Sequence, residues 1–141
     1  MTAAAELRPM TEADLPAARA LWAAADGVEL AEGDSVAELT QYLRRNPGLS
    51  FVATVGGAVI GAVLAGHDGR RGYLYHLAVS REHQGRGLGR DLVARSVALL
   101  REAHITRALI LVARDNESGR RFWSRQRWEP LDLAEPMGLD L

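Results

Sequence analysis

Cysteine and lysine are both absent from the 141 residues, so all 17 basic side chains are arginine. Without cysteine there is no thiol nucleophile, no disulfide and no cysteine metal site. Without lysine, Schiff-base chemistry and the P-loop lysine are excluded. Long apolar runs are missing as well: none approaches the ~18 residues of a membrane span. Charge is balanced at a net −1, which gives no bulk electrostatic pull toward nucleic acid. The opening "MTAAAELRPM" lacks the basic region and apolar core of a secretion signal. The expectation is a cytoplasmic protein without membrane or nucleic-acid partners. Its chemistry is left to hydroxyls, carboxylates, imidazoles, backbone amides or a bound cofactor.

What is present is ordinary for one globular domain, taken as residues 1–141: 48% apolar and 25% charged residues. "ELRP" from Glu6 reads as a first strand. Thr11 with Asp14 forms a capping box before a helix whose stripe is Leu15, Ala18, Trp22 and Ala25. Ser35 and Glu38 form a second box, with Val36, Leu39 and Leu43 as the buried face, and "NPG" at Asn46 stops that helix. "SFVATV" and "AVIGAVLAG" flank Gly56-Gly57, a two-residue hairpin signal. "YLYHLAV" is a further strand. A helix from about Gly87 to Ala103 places Leu88, Leu92, Leu99 and Leu100 inward. "RALILVA" does not alternate and predicts a strand buried on both faces. "NESGRRFWSRQR" is a short helix, and "WEPLDL" and "MGLDL" are closing-strand candidates. The hairpin makes the sheet mixed, so the class is α/β but not simply doubly wound.

The segment "HQGRGLGRD", His83 to Asp91, falls between a strand and a helix. Counted from Gly85, the sixth position of a dinucleotide fingerprint is Arg90, not glycine. The remaining pattern is Gln84-x-x-Gly87-x-Gly89. The first turn of a helix leaves amides unpaired and carries partial positive charge. Glycine admits a phosphate close to the backbone, and Arg86 and Arg90 add charge-assisted hydrogen bonds. A tight turn that uses glycine for geometry alone is the other reading of the same residues.

Strand "HLAV", then Gln84-Gly85-Arg86-Gly87-Leu88-Gly89, then Asn116 leading to Phe122-Trp123, together resemble the GNAT superfamily of acetyl-CoA-dependent N-acetyltransferases. "RNPGLSFVA" and "GHDGRRGYLYHLAV" resemble a bacterial subgroup within it. The resemblance implies a mixed, splayed central sheet of six to seven strands flanked by about four helices. It also implies acetyl-CoA as co-substrate, with its pyrophosphate on the amides of Gln84, Gly85, Arg86, Gly87, Leu88, Gly89 and Arg90. Leu77, Ala78 and Val79 would pair with the pantetheine arm, and the amide of Val79 or Leu77 would polarise the thioester carbonyl. Asn116 and Trp123 would complete the cofactor-binding set. Closing strands often pair between subunits in this family, so a homodimer is a further expectation.

Acetyl transfer to an amine requires removal of a proton whose pKa is ~10, which costs roughly 4 kcal/mol at pH 7. The resemblance turns the face carrying Tyr73 and Tyr75 toward the acceptor. Strand alternation adds Leu77 to that face and sends His76 to the other. Tyr75, Tyr73 and Asp34 are the candidate catalytic residues, with Glu29, Glu32 and Asp68 as further carboxylates near the acceptor mouth. Asp34 also fits a plain helix-start role. The family's usual tyrosine acid is replaced by Trp123, whose indole donates a hydrogen bond but does not titrate. N-terminal protein acetylases of the family carry a carboxylate where Leu111 stands here, which points to a small-molecule amine as the acceptor instead. No histidine pair has metal-ligand spacing, so no metal is expected. A non-catalytic acyl-CoA-binding module is the alternative function.

Overall fold

The computed structural model describes residues 4–141. They divide into two compact units, one running to Leu111 and one spanning Val112–Leu141. The first unit holds β1 (Glu6–Pro9), α1 (Leu15–Ala24), α2 (Val36–Arg45), β2 (Phe51–Val55), β3 (Ala58–His67), β4 (Gly72–Val79), α3 (Leu88–Glu102) and β5 (Ala108–Ile110). The second holds α4 (Glu117–Arg125). No helix among the described residues is long and apolar enough to cross a membrane.

One open mixed sheet runs in the order β1-β2-β3-β4-β5. Its pairs are antiparallel except β4 with β5, which is parallel. The sheet therefore has five strands, not six to seven. The two expected closing segments form no strand. Pro130 and Pro136 each remove a ladder donor there, and Leu133, Met137, Leu139 and Leu141 are fully exposed. The strand buried along nearly its whole length is β3. β5 is a three-residue edge, partly buried, and pairs only with β4 among the described residues. A continuous apolar run cannot distinguish these two positions.

Local chemistry explains the elements that position the site. Gly56 and Gly57 both have positive φ, +57° and +82°, as a primed hairpin turn requires. Ser35 Oγ accepts the Glu38 amide at 3.1 Å, while the Glu38 carboxylate accepts the Ser35 amide at 3.3 Å. This closes the capping box that starts α2. Asp14 serves its own box through the Thr11 amide and is gripped by Arg8 at 2.7 and 2.8 Å. That hydrogen-bonded guanidinium holds the Asp14 carboxyl below the usual aspartate range.

The core lies on both faces of the sheet. On one face Leu15, Ala18 and Trp22 of α1 and Leu39 and Leu43 of α2 pack on Val52, Ala62, Leu64 and Ala78. Burial of each large apolar side chain is worth about 1.5–3 kcal/mol, so this face outweighs either capping box at about 1 kcal/mol. α3 covers the other face with Leu92 and Leu100 buried. A Cβ on Gly72 would stand 2.9 Å from Leu100, and one on Gly66 would stand 2.6 Å from the Tyr42 hydroxyl of α2. Val36, expected inward, is 42% exposed because it opens the first turn of α2, beyond the sheet-facing stripe.

Candidate active site

β4 carries the feature that organises the site. Against β3, Ala62 pairs with Ala78 and Leu64 with Tyr75. Two steps on β3 thus span three on β4, and β4 carries one extra residue, a β-bulge. His76 sits in it with φ +55°, a left-handed conformation that costs a non-glycine residue roughly 1–2 kcal/mol. The expected alternation fails here. Cross-strand partners share a face, so beyond the bulge Ala78 continues the face of Tyr73 and Tyr75, and Leu77 does not. His76 turns toward the α1 side, its ring 5.3 Å from that of Trp22.

The bulge brings His76 to Asp34. His76 Nε2 lies 2.9 Å from Asp34 Oδ1. Asp34 Oδ2 accepts the Ala31 amide at 2.9 Å, and the Asp34 carbonyl accepts Arg19 Nε at 2.7 Å. The loop is fixed because Ser35 caps α2 immediately after it. Asp34 therefore does more than start a helix, and it is one of few buried carboxylates. Glu29 and Glu32 are exposed. Asp68 accepts the amides of Arg70 and Arg71 at 2.8 and 2.9 Å, so it closes its own loop, and those amides lower its pKa.

Tyr73 and Tyr75 stack at 5.9 Å with planes 10° apart, and Tyr42 of α2 meets Tyr75 edge-on at 6.4 Å. Burial, and then the neighbouring Tyr73, push the Tyr75 phenol above its ordinary pKa. Burial raises Tyr42 further, and its hydroxyl has no hydrogen-bond partner among the described residues. Tyr75 and Tyr42 can orient a ligand, but burial keeps both phenols neutral and so unfit to act as bases at neutral pH.

The other half of the site is backbone. β5 pairs with β4 only at Gly72, Tyr73 and Leu74, so from Tyr75 to Val79 the β5-side edge of β4 has no strand partner among the described residues. The chain then turns through Arg81–His83 into Gln84, whose side chain donates to the Val79 carbonyl at 2.9 Å. The Gln84 amide closes that turn on the Arg81 carbonyl. Beyond it, the amides of Gly85, Arg86 and Gly87 find no backbone acceptor among the described residues. Those of Leu88, Gly89 and Arg90 are the unpaired first turn of α3. Gly85 and Gly87 both have φ +80°, so glycine is needed for the turn itself as well as for access. Arg86 is exposed, and Arg90 Nε reaches Asp91 at 3.2 Å.

In the second unit Asn116 caps α4, its side-chain oxygen accepting the Gly119 amide at 3.0 Å. Trp123 is buried, with Phe122 and Trp128 each edge-on at 5.1 Å. In the first unit, beside the segments that lead into β4 and β5, a surface cavity of about 610 Å³ is lined by Arg70, Arg71, Thr106 and Arg107. It is basic, and neither Asp34 nor His76 lines it.

The Asp34–His76 contact is what sequence reasoning missed. Asp34 is a candidate by its chemistry, but regular alternation turns His76 away from the Tyr73 and Tyr75 face. A left-handed histidine inside an apolar run leaves no periodic signal.

Residues 12–127 match the model of the acetyltransferase (GNAT) family. An acetyltransferase of Pectobacterium atrosepticum is 28% identical over 127 residues, 90% of this chain and 89% of that protein. Ard1 of Thermoplasma volcanium has the same fold, with a TM-score of 0.77 at 20% identity over 87% of this chain and 81% of that one. The PaiA N-acetyltransferase of Thermoplasma acidophilum, solved in complex with coenzyme A, gives a TM-score of 0.74 at 18% identity over 87% and 88%.

Proposed function

Because the chain belongs to the GNAT family of acetyltransferases, we propose that it moves the acetyl group of acetyl-CoA to the amine of a small-molecule acceptor by direct attack on the thioester. The observation that carries this reading is the pairing of an unpartnered β4 edge with the run of free amides from Gly85 to Arg90. The edge suits an extended amide-bearing chain, and the amides suit a pyrophosphate. Acetyl-CoA, when bound, supplies an acyl group activated as a thioester. The Gly85–Arg90 amides hold its phosphates, with Arg86 and Arg90 adding charge. The backbone of Leu77, Ala78 and Val79 would pair with its arm. The amide of Val79 or Leu77 donates to the carbonyl oxygen, where negative charge develops. Tyr73 and Tyr75 orient the acceptor. The absence of a carboxylate at Leu111 supports a small amine over a protein N-terminus.

The test is calorimetric titration with acetyl-CoA of wild type and Gly89→Val. Gly89 lies in the first turn of α3 and, unlike Gly85 and Gly87, does not have a positive φ. Its substitution adds bulk beside the free amides without forcing a left-handed valine. Affinity should fall at least about tenfold while the circular dichroism spectrum stays native. A folded Gly89→Val protein with unchanged affinity would place the phosphates elsewhere.

A further inference from the structure

We propose that the His76 imidazole, held by Asp34, is the base that takes the proton of the acceptor amine, with Asp34 as its positioning residue. The inference rests on the acetyl-transfer reading above.

The tautomer follows from the carboxylate. An ionised carboxylate only accepts hydrogen bonds, so the 2.9 Å contact to Asp34 Oδ1 puts the hydrogen on His76 Nε2. Nδ1 is left with its lone pair. It has no hydrogen-bond partner among the described residues, yet it is absent from the buried unpaired atoms, which are Trp22 Nε1 and the Tyr42 hydroxyl. Nδ1 therefore reaches solvent while the rest of the ring is largely enclosed, with 18% of the side chain exposed.

Position agrees. His76 adjoins Leu77, where the β5-side edge of β4 is open, and its ring is 6.5 Å from that of Tyr75. The competing groups are less suited. Both Asp34 carboxylate oxygens are already engaged, and the phenol of Tyr75 is shifted away from acting as a base. Strained backbone persists where its surroundings over-determine it. Here Trp22 on one side and Asp34 on the other hold a left-handed histidine that a plain strand would not contain.

The step balances as follows. The acceptor ammonium gives one proton to Nδ1, and the imidazolium so formed is stabilised by the Asp34 carboxylate. The freed nitrogen lone pair forms the bond to the acyl carbon. The carbon–sulfur bond breaks, and sulfur leaves with the electron pair. The second ammonium proton passes to that thiolate, and His76 returns the first to solvent.

Three proteins test this: wild type, His76→Asn and Asp34→Asn. Asparagine tolerates the left-handed conformation at position 76 but offers no base. At position 34 the logic is sharper. The Ala31 amide still requires an acceptor, so the new amide oxygen takes the Oδ2 place and its NH₂ faces Nε2. The imidazole must then carry its hydrogen on Nδ1, where it can no longer accept. Nitrogen-15 NMR of the ligand-free proteins should show the Nε2–H tautomer of His76 in wild type and Nδ1–H in Asp34→Asn. Turnover is measured at saturating acetyl-CoA with whichever primary amine reacts fastest in a panel of amino acids, amino sugars and polyamines. It should fall about 10²-fold or more in both variants, with acetyl-CoA affinity by calorimetry unchanged. An Nδ1–H tautomer in wild type overturns the proposal, as does undiminished turnover in a folded His76→Asn. Failure of wild type to bind acetyl-CoA, or binding without turnover of any amine, overturns the acetyl-transfer reading itself.

Discussion

Trp123 stands where the family resemblance places a tyrosine acid for the departing thiolate. In the structure its ring lies between Phe122 and Trp128, a packing role within its own unit. Indole N–H can steady an anion but has no proton to surrender near neutral pH. Trp123→Phe should therefore keep kcat within about tenfold of wild type, less than the 10²–10⁴-fold of losing a proton-transfer group. Release of free thiol with time reads this out, and a larger loss at intact acetyl-CoA affinity would give the indole a part in thiolate departure. Among single residues, those whose type answers a backbone demand were legible. The glycine turn is one, because only glycine suits the positive φ of Gly85 and Gly87, whereas no spacing marked Asp34 for its contact with His76. His76 was legible as a residue but not as a direction, since one inserted position reverses the face of everything beyond it.

At the scale of elements, capping chemistry was the most readable signal. Both boxes, Thr11 with Asp14 and Ser35 with Glu38, form as their spacing dictates. Asp14 illustrates what spacing leaves out. It also receives both terminal nitrogens of Arg8 from β1, so it clasps the first strand to the start of α1. Hydrogen bonds to charged groups are worth about 1.5–3 kcal/mol, and Arg8 is partly exposed, which screens the pair. Asp14→Asn should thus cost about 2 kcal/mol in urea unfolding at pH 7. The sign with pH follows from the lowered folded pKa. The stabilisation is complete above the unfolded aspartate value near ~3.9 and disappears as pH falls through the folded one. The gap between wild type and variant should therefore close as pH falls below about 4. A gap that persists there would assign the loss to packing.

For the molecule as a whole, the β2–β3 hairpin and the mixed character of the sheet were legible because Gly56-Gly57 sets that turn locally. The far edge was not. "RALILVA" is apolar enough for a central strand, yet only Ala108–Ile110 pair, and the leucines after Trp128 alternate without finding a ladder. Pairing of distant segments is a property of the assembled sheet, which composition does not encode. The short β5 has one more effect, on colloidal behaviour. A sheet edge with free amides and carbonyls invites strands from other molecules, and β4 offers such an edge from Tyr75 to Val79. The left-handed kink at His76 bends that edge out of register with any flat incoming strand, so the bulge doubles as a guard against clumping. A β-branched residue is a backbone outlier at positive φ, so His76→Val should straighten the strand. The ligand-free variant should then scatter more light with time at raised concentration than wild type, and acetyl-CoA lying along the edge should suppress the increase. A variant that stays as monodisperse as wild type would show that something other than the kink keeps this edge unpaired.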